Sequence, residues 1–120
     1  MTKIHIIMQD FMLLFRSSCS GPDIPEGEMA ALEKKWENWI NELAAQQRLS
    51  HRGHRLLANG KTRKPGNVVI DGPYTESKEC VCGFMIVKAA SLEEAFALTK
   101  DCPIQVMGGN VEVREVMIRS

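Results

Sequence analysis

Two short runs are apolar on both alternating faces, Phe11–Phe15 and Gly83–Val87, and each is followed by an amphipathic helical pattern. Turn-rich segments separate these blocks, and a further β-like run closes the chain. Together they predict an α+β fold in the order β-α-β-β-α-β with an inserted hairpin, the split-βαβ or ferredoxin-like arrangement. In that arrangement the first and third strands are central and covered on both sides, as a strand without a polar face must be.

The elements follow in order. Phe11-Met12-Leu13-Leu14-Phe15 is the first central strand, and the turn formers of residues 17–27 make a loop after it. Asp23, Pro25 and Glu26 mark a helix start, with a capping side chain and acids at the positive end of the dipole. Met29, Leu32, Trp36, Trp39, Ile40 and Leu43 recur at steps of three and four, so this helix carries one apolar stripe and ends near Gln47. His54–Ala58 reads as a short strand, Asn59-Gly60 as a hairpin turn, and Lys64-Pro65-Gly66-Asn67 as a further turn. Val68-Val69-Ile70 resumes a strand into Asp71-Gly72-Pro73. After the second central strand, Ser91-Leu92-Glu93-Glu94 is a capping box, and Leu92, Ala95, Phe96 and Thr99 form the expected buried face of the second helix. Pro103 ends that helix. Gly108-Gly109 turns into a last strand, Val111–Arg119, whose apolar parity changes between Val113 and Val116, predicting a bulge near Arg114-Glu115.

Two helices cover one face of such a sheet. The other face, carrying side chains such as Met12 or Leu13 and Met85 or Ile86, is left open, and an apolar face of that size predicts a face-to-face homodimer.

Composition narrows the class. The 120 residues are one domain's length, 44% hydrophobic and 25% charged, as in ordinary globular domains. Fifteen Lys and Arg balance fifteen Asp and Glu, and each half of the chain is itself balanced, so no net field draws in nucleic acid or an anionic membrane. Asp10 and Arg16 interrupt the N-terminal apolar residues, which excludes a signal-peptide reading, and no run approaches the roughly 20 apolar residues of a membrane span. The expected compartment is the cytoplasm, with Cys19, Cys80, Cys82 and Cys102 as reduced thiols.

Asp71 is the leading candidate for chemistry. It ends a β-branched run before a Gly-Pro turn, which suits a general base at a cleft mouth and equally a carboxylate that fixes the turn. His54 is a candidate proton carrier, and with His51 it lies in Arg48–Lys64, which holds six Lys and Arg and no acid. Arg16 and Arg114 can clamp an anion bidentately or pair with Glu76, Glu79 or Glu112. Trp36 and Trp39 fit the apolar stripe and read as core. Cys80-Val81-Cys82 lacks zinc spacing, no metal site is expected, and no Walker loop, dinucleotide fingerprint or nucleophile elbow implies a cofactor. The central strands are too aliphatic for an RNA-stacking platform.

The segments Asp71-Gly72-Pro73-Tyr74-Thr75-Glu76-Ser77-Lys78-Glu79, Gly83–Val87, Gly108-Gly109 and Val111-Glu112-Val113-Arg114 resemble the DGPF-domain branch of the YCII-related proteins. Phe11–Arg16 and the Trp36/Trp39 helix resemble it too, so the likeness spans residues 8–118. It implies the dimeric α+β barrel superfamily, two ferredoxin-like protomers packed sheet to sheet, and adds Tyr74 and Glu76 to Arg16 and Arg114 as candidate ligand contacts. Some relatives are encoded beside, or fused to, extracytoplasmic-function sigma factors. Tyr74 replaces the usual Phe, Cys82 a Gly and Glu115 a Pro, and residues 28–47 lack the His that the wider superfamily pairs with an Asp. Two functions follow as expectations. One is a cofactor-independent enzyme using Asp71, helped by His54, on a small anionic or carbonyl metabolite. The other is a non-catalytic dimer binding a small ligand or a regulatory partner such as a sigma factor.

Overall fold

Alternation along Gln9–Ser18 buries Phe11, Leu13, Phe15 and Ser17 on one side and leaves Met12, Leu14 and Arg16 half-buried on the other; this is β1. The computed structural model describes residues 7–19, 24–75 and 78–118. The other elements are α1 (Glu26–Ala45), β2 (Leu49–Arg55), β3 (Lys61–Lys64), β4 (Val68–Asp71), β5 (Glu79–Ala89), α2 (Leu92–Ala97) and β6 (Asn110–Glu115). Four strands form an antiparallel sheet in the order β2-β5-β1-β6, while β3 and β4 form a separate two-stranded sheet. The two strands expected at the centre, β1 and β5, are there. The architecture is α+β and compatible with a ferredoxin-like fold.

The apolar stripe of α1 lies on the sheet. Leu32, Trp39 and Leu43 are buried and Met29, Trp36 and Ile40 half-buried, as their spacing predicts. Phe15 meets Trp36 and Trp39 edge-on at centroid distances of 5.2 and 6.3 Å, the geometry the ring quadrupoles favour. Trp39 also donates its Nε1–H to the Leu98 carbonyl at 3.2 Å, tying α1 to the end of α2. Pro25 occupies the N-cap position, and Asp23, the expected cap, lies outside the described residues. At the other end Arg48 N–H reaches the Leu43 carbonyl and Gln47 N–H the Ala44 carbonyl, with Gln47 at φ 59°. That is a Schellman stop with Gln where Gly is usual.

Several expectations are corrected. β2 begins at Leu49, earlier than His54, and ends at Arg55. The hairpin turn is not Asn59-Gly60 but the 3₁₀ turn Pro65–Asn67, where Gly66 (φ 80°) and Asn67 (φ 61°) both adopt left-handed backbone. Gly60 instead closes the foot of the hairpin, its carbonyl accepting Gly72 N–H at 2.7 Å. Leu92 and Phe96 are 50% and 63% exposed, because α2 is only six residues long and packs through Ala95 and the following Leu98 and Thr99. The capping box is half made: Ser91 Oγ accepts Glu94 N–H, but the Glu94 carboxylate turns to Arg48. No bulge occurs at Arg114-Glu115. The β1–β6 register is unbroken and the strand ends at Glu115, so the parity change falls outside it.

Among the described residues, no helix is long and apolar enough to cross a membrane.

Candidate functional site

The sheet face away from the helices carries three of the sequence-predicted residues, His54, Arg16 and Arg114. Cross-strand pairs lay two rows across it: His54, Phe84, Leu14 and Glu112, then His51, Ile86, Met12 and Arg114. Each row spans four strands, about 14 Å at the usual strand spacing. The centre is apolar and both edges are polar.

At the β2 edge lie His51 and His54. Three residues apart, they face opposite sides of a regular strand. Two register shifts in β2, before and after His51, cancel that parity and set both opposite open-face residues of β5. His51 stacks on Phe84 with centroids 6.3 Å apart and rings 20° from parallel, His54 meets the same ring edge-on at 6.0 Å, and the two imidazoles are 5.9 Å apart. Gly53 makes the bulge possible. It has φ 70°, and a Cβ there would run into the Phe84 carbonyl. Its N–H donates to His51 Nδ1 at 2.8 Å, so the neutral His51 ring carries its proton on Nε2. Both histidines are exposed. A ligand here would find an aromatic surface flanked by imidazoles able to donate hydrogen bonds or exchange protons.

At the β6 edge, Glu112 joins the two arginine candidates. Arg16 Nη1 lies 2.6 Å from Glu112 Oε1, and Arg114 Nη1 lies 3.7 Å from Oε2. The Arg16 charge is thus answered within the chain, whereas Arg114, with a side chain 70% exposed, retains donors for an outside partner.

The remaining candidates stand apart from this face. Asp71 is the last residue of β4, with a side chain 90% exposed and Oδ1 3.5 Å from Lys61 Nζ. Tyr74 is 69% exposed beyond the hairpin, and Glu76 lies outside the described residues. A depression of about 540 Å³ opens between α1 and residues 100–106, with Lys35, Trp39 and Cys102 in its wall and none of the predicted site residues.

All four cysteines are free thiols. A hydrogen bond with Cys19 is the main cause raising the Cys80 thiol to about 11, with burial and neighbouring thiols adding to it. Burial pushes Cys102 up to about 12 against an opposing backbone hydrogen bond at Ile104. Both are protonated at neutral pH and poor nucleophiles. Among the described residues, no group of three or more His, Cys, Asp or Glu gathers as a metal site.

A family model described as the YCII-related domain matches residues 19–118. The chain belongs to the YCII-related family. The match starts just after β1, so the strand that supplies Leu14 and Arg16 to the open face lies wholly before the matched span of this YCII-related chain. No curated protein matches it.

His51 is the site residue that sequence reasoning passed over. The available signal was Gly53 between the two histidines, since a Gly inside a strand pattern often marks a bulge.

Proposed function

We propose that this YCII-related chain is a dimeric binding protein of the DGPF-domain branch. Its site for a small anionic or carbonyl-bearing metabolite lies on the open sheet face beside His51, His54 and Phe84. The observation that carries this reading is the pair of imidazoles that the Gly53 bulge collects against one aromatic ring. Assignment to the branch rests on the Asp71-Gly72-Pro73-Tyr74 segment and the Gly108-Gly109 turn. The dimer reading rests on Met12, Leu14, Phe84 and Ile86, four apolar side chains at the middle of a face without helices. In the enzymatic form of this reading His54 carries the proton.

A thermal-shift screen with acetate, malonate, pyruvate and inorganic phosphate tests it on wild type, His54→Ala and Asp71→Asn. A ligand at a hundred times its dissociation constant adds about 2.7 kcal/mol to stability. The expected result is a ligand-dependent rise in Tm for wild type that His54→Ala abolishes. Asp71→Asn should keep the rise, because Asp71 stands apart from this face, and its loss there would extend the site to the hairpin. A rise that survives His54→Ala unchanged rejects the open-face site.

A further inference from the structure

We infer that the β3–β4 hairpin is an intermolecular arm, and that the surface covering its apolar strand β4 is a second copy of this chain. The inference rests on the dimer reading above and adds the element that reaches across.

The hairpin stands alone. Among the described residues it is hydrogen-bonded to no strand of the main sheet, and a two-stranded ribbon is at best marginally stable in water unless it packs against something. Val68, Val69 and Ile70 are nevertheless 54%, 50% and 43% exposed. Three consecutive β-branched side chains point to both faces of the ribbon, so both faces present apolar surface to solvent. Leu57 and Tyr74 on either side of the arm are 84% and 69% exposed.

Its two edges differ in chemistry. β3 reads Lys61-Thr62-Arg63-Lys64, and a strand with three cations resists pairing with another chain. β4 has no charge until Asp71. Only the β4 edge lacks that protection, which marks it as the edge meant to be covered.

Surface area supplies the size of the missing partner. The chain exposes 9203 Å², whereas a compact monomer of its mass exposes roughly 6,500 Å². Treating every residue outside the described segments as fully exposed removes about 1,700 Å² of that excess. On the order of 1,000 Å² remains, above the roughly 800 Å² that one partner contributes to a standard interface. The radius of gyration agrees, 16.7 Å against about 14 Å for a compact chain of this length. A second copy satisfies this requirement reciprocally, because each protomer brings the same arm and the same apolar sheet face.

The test is sedimentation equilibrium with hydrogen–deuterium exchange on the full chain, using wild type, Val69→Lys and the shape-conserving Val69→Ile. Wild type is expected to be a dimer whose Val68–Ile70 amides exchange more slowly as protein concentration rises. Val69→Lys should raise the dimer dissociation constant at least tenfold and abolish that concentration dependence, while Val69→Ile keeps both. Circular dichroism of Val69→Lys should be near wild type, because the arm lies outside the main sheet. A wild-type dimer indifferent to Val69→Lys, with fast β4 exchange at every concentration, overturns the arm and leaves the face-to-face dimer standing. A monomeric wild type overturns both and leaves β4 for a different partner.

Discussion

Gly53 lies against the main-chain carbonyl of Phe84, closer than any side chain would permit. That contact, together with φ 70°, turns a regular edge strand into one that presents His51 and His54 to the same aromatic ring.

Gly53→Ala should therefore be costly at an edge position. Left-handed backbone disfavours Ala by about 1–2 kcal/mol, and relieving the collision adds strain, for a total of roughly 2–3 kcal/mol. Urea unfolding measures the loss. In the NMR spectrum the His51 and His54 ring protons should lose their nuclear Overhauser contacts to Phe84. Retained contacts at unchanged stability would show that the bulge does not need Gly.

Gln47 should respond in the opposite sense. It holds φ 59° at the C′ position of the Schellman stop, with its side chain exposed. Gln47→Gly relieves the Cβ penalty, offset in part by the greater freedom of Gly in the unfolded chain, and should stabilise by about 0.5–1 kcal/mol. The same unfolding measurement checks the sign.

The Arg16–Glu112 pair should contribute modestly despite its 2.6 Å separation. Its side chains are 32% and 40% exposed, so solvent screens the pair, and a coupling of about 0.5–1 kcal/mol is expected. A double-mutant cycle of Arg16→Met and Glu112→Gln measures it, and the coupling should shrink in high salt. A coupling above about 2 kcal/mol would mean the pair is desolvated in the assembled protein.

Stability should fall on the alkaline side. The folded state raises Cys102 to about 12 and Cys80 to about 11 from an ordinary value of 9.0, so it binds these protons more tightly than the unfolded chain does. Their contribution is complete below pH 9 and is lost as pH rises towards 11 and 12, at up to about 1.4 kcal/mol per pH unit for Cys102 and less for Cys80, whose thiol shares its hydrogen bond with Cys19. Denaturant unfolding between pH 8 and 10.5 should show this slope, and Cys102→Ala should reduce it. An unchanged slope in that variant would remove Cys102 as its source.

Much of the fold was legible because burial leaves a periodic trace. Phe11–Phe15 and Gly83–Val87 are apolar on both faces because one face packs on helices and the other forms the middle of the open sheet. The Leu32, Trp39 and Leu43 stripe was legible for the same reason. The exposed Leu92 and Phe96 misled, since a short helix shows too few turns for its stripe to separate from chance. The site was only partly legible. Arg16 and Arg114 were candidates, but their meeting at Glu112 depends on the register of β6 against β1.

The sequence by itself determined the order of elements, the central strands, the face of α1 that packs and the absence of a net field, because each depends on local pattern or composition. Tertiary structure decided the rest. Period-two alternation sets His51 and His54 on opposite faces, and only pairing with β5, with Gly53 pressed against Phe84, brings them together. The separation of β3 and β4 from the main sheet was likewise a tertiary outcome. Whether a hairpin joins a sheet or stands off it depends on which edge has free hydrogen-bonding groups, which local sequence does not encode.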